Sequence, residues 1–295
     1  MGIKETDLDV SRMFDSQWGL ATAGMKVYAV YFSPSGSTEK IVKRIAKGFE
    51  GFEVESVNLL TSASRKKNYT FGKNDVVVFG MMTAGKLFTL SDEIFECLHG
   101  DGTPFVGVIT YGNSYYGIAL TEMKERAEKS GFSVASMGAF IARHSLDPSV
   151  AEGRPDSEDL KIIDDFARES REKILRGDYV LHDEPQTGWS SSEQANNLIA
   201  YRETHRDEPY MLPPSYKTKI ITNACIKCGK CVRNCPVNAI NIESKTFDLD
   251  SCIGCWGCIN RCPNHAIIST SQEMSDIMKN IGSVFSKRLE PEIFM

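Results

Sequence analysis

Two cysteine-rich runs near the C-terminus, CIKCGKCVRNCP at 225–236 and CIGCWGCINRCP at 252–263, decide the fold of that part of the chain. Each run reads Cys-x-x-Cys-x-x-Cys-x-x-x-Cys-Pro, and the runs together contain all but one of the nine cysteines. Three closely spaced thiolates surround three corners of a [4Fe–4S] cube, and the cysteine before proline ligates the other cube. The spacing therefore predicts two [4Fe–4S] clusters and single-electron chemistry.

The proline-linked cysteines assign the ligands of each cluster. Each cube takes three cysteines from one run and one from the other. The predicted ligands are Cys225, Cys228, Cys231 and Cys262 for cluster I, and Cys252, Cys255, Cys258 and Cys235 for cluster II. A zinc site is the alternative, but zinc usually takes cysteine pairs rather than triplets with a trailing Cys-Pro. Because iron would hold the two halves together, we expect this module to unfold without metal.

The residues around the ligands are typical of a small electron-transfer domain. Residues 216–271 resemble bacterial-type 2[4Fe–4S] ferredoxins, which implies a small α+β fold. Trp256 departs from the small or apolar residue typical of its position, and it either shields cluster II or contacts a partner. Cations outnumber acids here, and they either offset the cluster charge or form a docking patch. These cations are Lys217, Lys219, Lys227, Lys230, Arg233, Lys245 and Arg261.

Upstream, strand patterns alternate with helical patterns. Continuous runs rich in valine, isoleucine and aromatic residues are typical of strands buried on both faces of a sheet, whereas Phe52–Val57 alternates as a half-buried strand does. The predicted strands are Lys26–Ser33, Phe52–Val57, Asp75–Gly80, Pro104–Tyr111 and Phe132–Ile141, and the predicted helices are Thr38–Phe49, one around 94–98, Gly117–Lys129 and Ser157–Leu175. Strands that alternate with helices form parallel sheets with right-handed crossovers. The predicted fold class is α/β, with a doubly wound five-stranded parallel sheet.

The first strand ends in a polar turn, SPSGST at 33–38, that opens a helix. Backbone N–H groups at a helix N-terminus bind anions, and hydroxyl groups add donors. The turn is neither a Walker A loop nor the Gly-x-Gly-x-x-Gly motif of dinucleotide-binding proteins. Because it lacks a lysine to neutralise a triphosphate, it suits a monophosphate held by neutral donors.

This turn resembles the phosphate loop of the flavodoxin family, [Ser/Thr]-x-[Ser/Thr]-Gly-x-[Thr/Ser]. Segments 82–88 and 110–117 lie where that family holds the isoalloxazine ring, at the carboxyl ends of later strands. The resemblance implies an FMN site made by Ser33, Pro34, Ser35, Gly36, Ser37, Thr38, Thr83, Ala84, Gly85, Lys86, Leu87, Phe88, Thr110, Tyr111, Gly112, Asn113, Tyr115, Tyr116 and Gly117. Any single aromatic residue here is favoured as packing rather than stacking on the flavin, and Lys86 as solvated rather than close to the ring.

The whole chain resembles flavodoxin–ferredoxin fusion proteins of anaerobes, the EFR1-type ferrodoxins. We expect a helical lead-in at 1–24, a flavodoxin-like domain at 25–176, a linker at 177–215 with a short helix around Glu193–Glu203, a ferredoxin domain at 216–271, and a C-terminal helix and tail at 272–295. Outside these motifs, Cys97 is interpreted as a small buried hydrophobe. His144 is interpreted as a solvated or loop-bound histidine rather than a proton donor.

The composition excludes two classes of partner. The formal net charge of −5 and the pI near 5.7 predict no binding to nucleic acid. No apolar run approaches the roughly 18 residues of a membrane-spanning helix, so we expect no membrane partner. Thiolates that hold iron would be oxidised to disulfides in an oxidising compartment. We therefore expect a cytoplasmic protein, from an organism that grows without oxygen.

The predicted cofactors indicate how electrons are handled. FMN takes two electrons and each cluster takes one, so the favoured function is an intracellular electron carrier that couples them. Its partner would be a redox protein, either from a ferredoxin pool or a reductase. The alternative is an FMN-dependent, ferredoxin-fed reductase of a small-molecule acceptor, which a concave pocket of about 300 Å³ or more beside the flavin would favour. A redox sensor is disfavoured, since the chain has no DNA-binding motif or basic tail.

Overall fold

The computed structural model describes residues 25–208, 212–276 and 285–295. The expected helical lead-in at 1–24 lies outside these residues. Residues 272–276 are helical, and the remainder of the expected C-terminal helix up to 284 lies outside the described part of the chain.

A parallel sheet of five strands forms the centre of the N-terminal unit. Its strands are β1 (Lys26–Phe32), β2 (Glu53–Asn58), β3 (Val76–Met82), β4 (Thr103–Tyr111) and β5 (Phe132–Ile141). All nine residues of β4 are buried, as expected for an apolar strand covered on both faces. The spatial order β2-β1-β3-β4-β5 is that of flavodoxin-like folds, which confirms the predicted fold class.

Helices cover both faces of this sheet. The main helices are α1 (Ser37–Lys47), α2 (Ser91–Glu96), α3 (Ala119–Lys129) and α4 (Ser157–Leu175). Ile41 and Ile45 of α1 pack with Phe166 of α4 on one face. Ile94 of α2 and Met123 of α3 lie in the core of the other face. A short parallel pair, Tyr69–Phe71 with Leu98–Gly100, lies outside the main sheet.

A sixth strand that was not predicted closes one edge of the sheet. It is β6 (Glu292–Phe294), which runs antiparallel to β5 and pairs Phe294 with Met137. The end of the chain therefore returns past the ferredoxin module to the N-terminal unit. The expected C-terminal tail is part of the sheet.

The ferredoxin module shows its internal repeat in its structure. The third cysteine of each run lies in a one-turn helix, α6 (Lys230–Arg233) or α7 (Gly257–Asn260), and the two helices are related by the same shift in sequence as the cysteine runs. Two short antiparallel ladders complete the α+β module. They are Lys219–Ile221 with Ile267–Ser269, and Ile240–Asn241 with Thr246–Phe247.

The two units share one hydrophobic core. Ile253 and Cys255 of the second cysteine run are buried among the core residues of the α2 and α3 face. Arg65, 3% exposed, donates from Nη2 to the carbonyl oxygen of Pro236 at 2.8 Å and from Nη1 to those of Leu59 and Leu60. A buried arginine that satisfies carbonyls on both sides makes this junction costly to open.

The segment expected to be a linker packs against the first unit. Gly188 and Gly117 exchange two backbone hydrogen bonds, of 2.9 and 3.0 Å. The backbone N–H of His182 donates to the carbonyl oxygen of Met295 at 2.8 Å. The expected short helix is present as α5 (Glu193–Thr204). This segment is therefore a structural element rather than a tether.

Cys97 is buried, 3% exposed, and its thiol donates to the carbonyl oxygen of Ile94. Burial raises the pKa of this thiol to about 11, so it stays protonated. These observations confirm the interpretation of Cys97 as a packing residue. Separately, a search of the described ranges finds no helix with the length and apolarity needed to cross a membrane.

Candidate functional site

A large cavity lies at the carboxyl ends of β1, β3 and β4, where the strand order reverses. Its volume is about 780 Å³, within the range of small-molecule sites. Open α/β sheets bind ligands at such a switch point, and flavodoxin-like sheets bind FMN there. All three segments predicted for the flavin contribute to the lining. The predicted residues that line the cavity are Ser35, Ser37, Thr83, Ala84, Lys86, Phe88, Thr110, Tyr111, Gly112 and Tyr115.

The turn between β1 and α1 presents backbone donors at this cavity. Gly36 precedes α1 in a left-handed conformation, φ 96°, and has no side chain to cap the helix. Instead, Ser33 Oγ accepts a hydrogen bond from the N–H of Glu39 at 3.0 Å. Ser35 and Ser37, whose backbone N–H and hydroxyl groups are donors, line the cavity. These donors, at the positive end of the helix dipole, suit an anion.

The other predicted residues support the cavity rather than line it. Asn113 is 4% exposed, and its amide donates to the carbonyl oxygens of Phe285 and Lys287 at 2.9 Å each. Tyr116 is 2% exposed and its hydroxyl donates to Glu292 of β6 at 2.8 Å. These two residues therefore hold the C-terminal segment in place. The full supporting set is Ser33, Pro34, Gly36, Thr38, Gly85, Leu87, Asn113, Tyr116 and Gly117.

Lys86 is buried, so the expectation that it is solvated is wrong. It is 6% exposed, and Nζ donates to the carbonyl oxygens of Arg206 and Glu208 at 2.6 and 2.7 Å. Nζ also lies 3.6 Å from Glu122 Oε1, and burial raises the pKa of that carboxyl. Lys86 thus ties the chain after α5 to the segment after β3.

Much of the cavity wall comes from residues that sequence reasoning missed. Helix α5 contributes Leu198 and Tyr201, the chain before the ferredoxin module contributes Tyr216, and the second cysteine run contributes Gly254 and Trp256. The sequence of α5 carries little amphipathic signal, and the helix has one buried residue, Ile199. Its role as a wall depends on tertiary position.

His144 also lines the cavity. Its Nδ1 accepts hydrogen bonds from the backbone N–H groups of Leu146 and Asp147, each 3.2 Å long, so it is loop-bound as expected. Because Nδ1 is an acceptor, the neutral ring carries its proton on Nε2. Burial lowers the pKa of His144 below its usual 6.5.

This burial predicts a pH dependence of stability. Since the folded-state pKa of His144 is lowered, the unfolded chain takes up the proton first as pH falls below about 6.5. The contribution of His144 is therefore complete above pH 6.5 and is lost progressively below it. Anaerobic urea unfolding of wild type and His144→Gln should give a free-energy difference that shrinks from pH 7.5 to pH 5.5. A constant difference would contradict this expectation.

The structure gathers the eight predicted iron ligands around two small cavities. Cys225, Cys228, Cys231 and Cys262 line one of them, and Cys235, Cys252, Cys255 and Cys258 line the other. This is the exchange of the fourth ligand that the spacing predicts. The donor sets therefore fit one four-iron cube in each cavity.

The two cavities differ in exposure. Cys228 is exposed and the neighbouring Ile226 is 64% exposed, so the cavity predicted for cluster I faces outward. Cys255 is 8% exposed and lies in the shared core, so the cavity predicted for cluster II faces the flavodoxin-like unit. Burial raises the pKa of the Cys255 and Cys258 thiols to about 12, and iron binding would have to displace those protons.

Trp256 separates cluster II from the large cavity. It is 5% exposed and lines both the cluster II cavity and the large cavity. At this burial it does not reach a surface partner, which leaves the shielding interpretation. Its buried indole N–H has no acceptor within the described residues. An unpaired buried donor calls for an acceptor that the polypeptide does not supply.

Some cations of the ferredoxin module are buried and others are exposed. Lys219 Nζ lies 3.3 Å from Cys252 Sγ, and Lys217 Nζ donates to the carbonyl oxygen of Cys252 at 2.7 Å. These two buried lysines offset negative charge at cluster II. In contrast, Lys230 and Arg233 are exposed near cluster I, where a partner could reach them.

The large cavity fits FMN by its donor set and its shape. The turn at 33–38 offers neutral donors at a helix N-terminus, as a phosphate monoester requires. The lining also includes Phe88, Tyr111, Tyr115 and Trp256, which suit a planar aromatic ring. When bound there, FMN would accept and release electrons beside cluster II.

Two comparisons with known proteins found matches. Residues 224–266 match the family described as "4Fe-4S dicluster domain". A flavodoxin structure from the domain Archaea is 17% identical over 51% of this chain and 98% of its own, with a TM-score of 0.34. The strand order, rather than this weak likeness, defines the fold. A comparison with curated proteins gave no match.

Proposed function

We propose that this chain is an electron-transfer flavo-iron–sulfur protein in which two [4Fe–4S] clusters exchange electrons with FMN inside one folded body. The observation that carries the proposal is Trp256, because one side chain lines both the cluster II cavity and the cavity that fits FMN. The combination corresponds to the flavodoxin–ferredoxin fusions of the EFR1 type. We place it in the cytoplasm of an organism that grows without oxygen.

The exposure of the two clusters supports an order of transfer. Cluster I lies beneath Ile226 and Cys228 at the surface, where a redox protein can approach. Cluster II lies deeper, beside Trp256. Electrons from a ferredoxin or a reductase would therefore enter at cluster I, pass to cluster II and reach the flavin. The exposed cations Lys230 and Arg233 would favour an acidic partner.

A second candidate, an FMN-dependent reductase of a small molecule, is supported by the cavity wall. Leu198 and Tyr201 of α5 enclose the site, and Lys86 anchors the chain that follows this helix. The whole cavity measures about 780 Å³, and bound FMN would take part of that volume. Such a wall would restrict the approach of large partners to the flavin and favour a small acceptor.

Anaerobic reconstitution followed by reductive titration tests the proposal. We expect one FMN and about eight irons per chain, with the flavin reduced by electrons supplied through the clusters. A chain that holds iron but binds no FMN would refute the coupled-cofactor proposal. Reoxidation of the flavin by a panel of small molecules would favour the reductase, and reoxidation only by a redox protein would favour the carrier.

A further inference from the structure

Arg261 of the ferredoxin module forms hydrogen bonds to the predicted phosphate turn, residues 33–38, of the flavodoxin-like unit. Its Nε donates to the carbonyl oxygen of Pro34 at 2.6 Å, and its Nη2 donates to that of Ser33 at 2.8 Å. Nη2 also lies 3.7 Å from Glu39 Oε2 at the start of α1. The guanidinium therefore holds two consecutive carbonyls and sits beside a carboxylate of the helix that the turn opens.

Helix α7, which directly precedes Arg261, also contacts the flavodoxin-like unit. A Cβ on Gly257 would lie 2.9 Å from the Pro34 carbonyl oxygen, so only glycine allows this approach. The Asn260 amide donates to the carbonyl oxygen of Ser145 at 3.0 Å, and its oxygen accepts from Arg143 at 3.3 Å. Residues 257–261 thus contact the flavodoxin-like unit at several points, and Arg261 makes two of these hydrogen bonds.

These hydrogen bonds also orient the backbone N–H groups of the turn. In a planar trans peptide the N–H points away from the C=O of the same unit. Because Arg261 holds the Pro34 carbonyl, the Ser35 N–H points away from the guanidinium, and Ser35 lines the cavity. Arg261 does not line the cavity itself and acts through the turn.

The position of Arg261 is in turn set by the cluster ligands. It precedes Cys262, a predicted ligand of cluster I, and follows α7, which contains Cys258, a predicted ligand of cluster II. Iron that binds both cysteines would fix the segment between them. Loss of the clusters would release Arg261 and with it the Ser33 and Pro34 carbonyls.

We propose that Arg261 is a positioning residue for the phosphate end of the flavin site, and that through it the retention of FMN depends on intact clusters. The proposal rests on the proposed function, since it requires that FMN binds. By linkage the dependence is reciprocal, so bound FMN protects the clusters to the same degree. Oxidative loss of the clusters would then release the flavin as well.

The test measures FMN affinity by quenching of flavin fluorescence, under anaerobic conditions, with iron content determined in the same samples. For cluster-loaded Arg261→Gln we expect FMN to bind about tenfold more weakly than to wild type, because two charge-assisted hydrogen bonds that shape the turn are lost. Arg261→Lys keeps the charge but not the forked donors, and it should recover part of the loss. Arg233→Gln is the matched control, since Arg233 lies against Gly229 of its own loop.

The same affinities are then measured after iron has been removed from full-length wild type and full-length Arg261→Gln. Because the module also supplies Gly254 and Trp256 to the cavity wall, cluster loss should weaken FMN binding in both proteins, but by at least threefold less in Arg261→Gln than in wild type. Affinity within twofold of wild type for the iron-loaded variant would overturn the proposal, as would equal weakening on iron removal in both proteins. If Arg261→Gln fails to hold iron, Arg261→Lys is judged by the same criteria. A wild-type chain that binds no FMN would refute the proposed function instead.

Discussion

Replacing Trp256 by alanine should destabilise the iron-loaded protein by about 3–5 kcal/mol, the range for truncating a buried tryptophan. The ring is buried at the junction of cluster II, the large cavity and the cation Lys219, whose Nζ lies 5.4 Å from the ring centroid. Its removal would leave a void between the two cofactor sites and admit water to cluster II. Anaerobic urea unfolding measures the first effect, and the rate of bleaching of the iron–sulfur absorbance in air measures the second.

Trp189→Ala is the matched control for this prediction. Trp189 is 53% exposed, so its truncation should change stability by less than about 1 kcal/mol and leave bleaching unchanged. Similar effects of the two substitutions would show that Trp256 is not a barrier between the sites. A large loss of stability without faster bleaching would show that Trp256 contributes packing but does not protect cluster II.

Replacing Gly117 by alanine should cost about 2–4 kcal/mol and weaken FMN binding. Gly117 has φ 57°, and a Cβ at this position would lie 2.0 Å from the backbone oxygen of Gly85. The backbone at one of these two positions would have to move, and Gly85 belongs to the segment after β3 that forms part of the flavin site. Urea unfolding and flavin fluorescence measure the two effects.

Gly102→Ala is the control that measures the cost of a left-handed backbone without a steric clash. Gly102 has φ 67°, and its surroundings are open to 4 Å. This control should cost only about 1–2 kcal/mol, from the left-handed backbone alone. Equal effects at the two glycines would mean that the contact between Gly117 and Gly85 contributes nothing.

The sequence predicted those elements whose patterns are local and repeated. Four strands of the parallel sheet stand where apolar runs occur and β2 where the sequence alternates, and the cysteine spacing predicted both the module and the grouping of its cysteines around two cavities. In contrast, β6 has three residues and no pattern of its own. It is a strand only because the edge of β5 offers unpaired backbone groups.

The contacts that were not predicted act over long distances in sequence. Arg261 reaches a turn more than 220 residues earlier, and Lys86 reaches carbonyls about 120 residues later. No spacing rule connects such positions. Local reasoning therefore favoured a solvated Lys86, and it did not connect Arg261 with the phosphate turn.

The return of the chain at β6 places the whole ferredoxin module inside the span of one sheet. About 150 residues separate the end of β5 from Glu292, so at roughly 5–20 residues per second a ribosome needs about 8–30 s to supply the closing strand. During that interval the edge of β5 is a free template for other nascent chains. The closing strand is thus synthesised only after the whole ferredoxin module, and slow synthesis of that module prolongs the exposure of the edge.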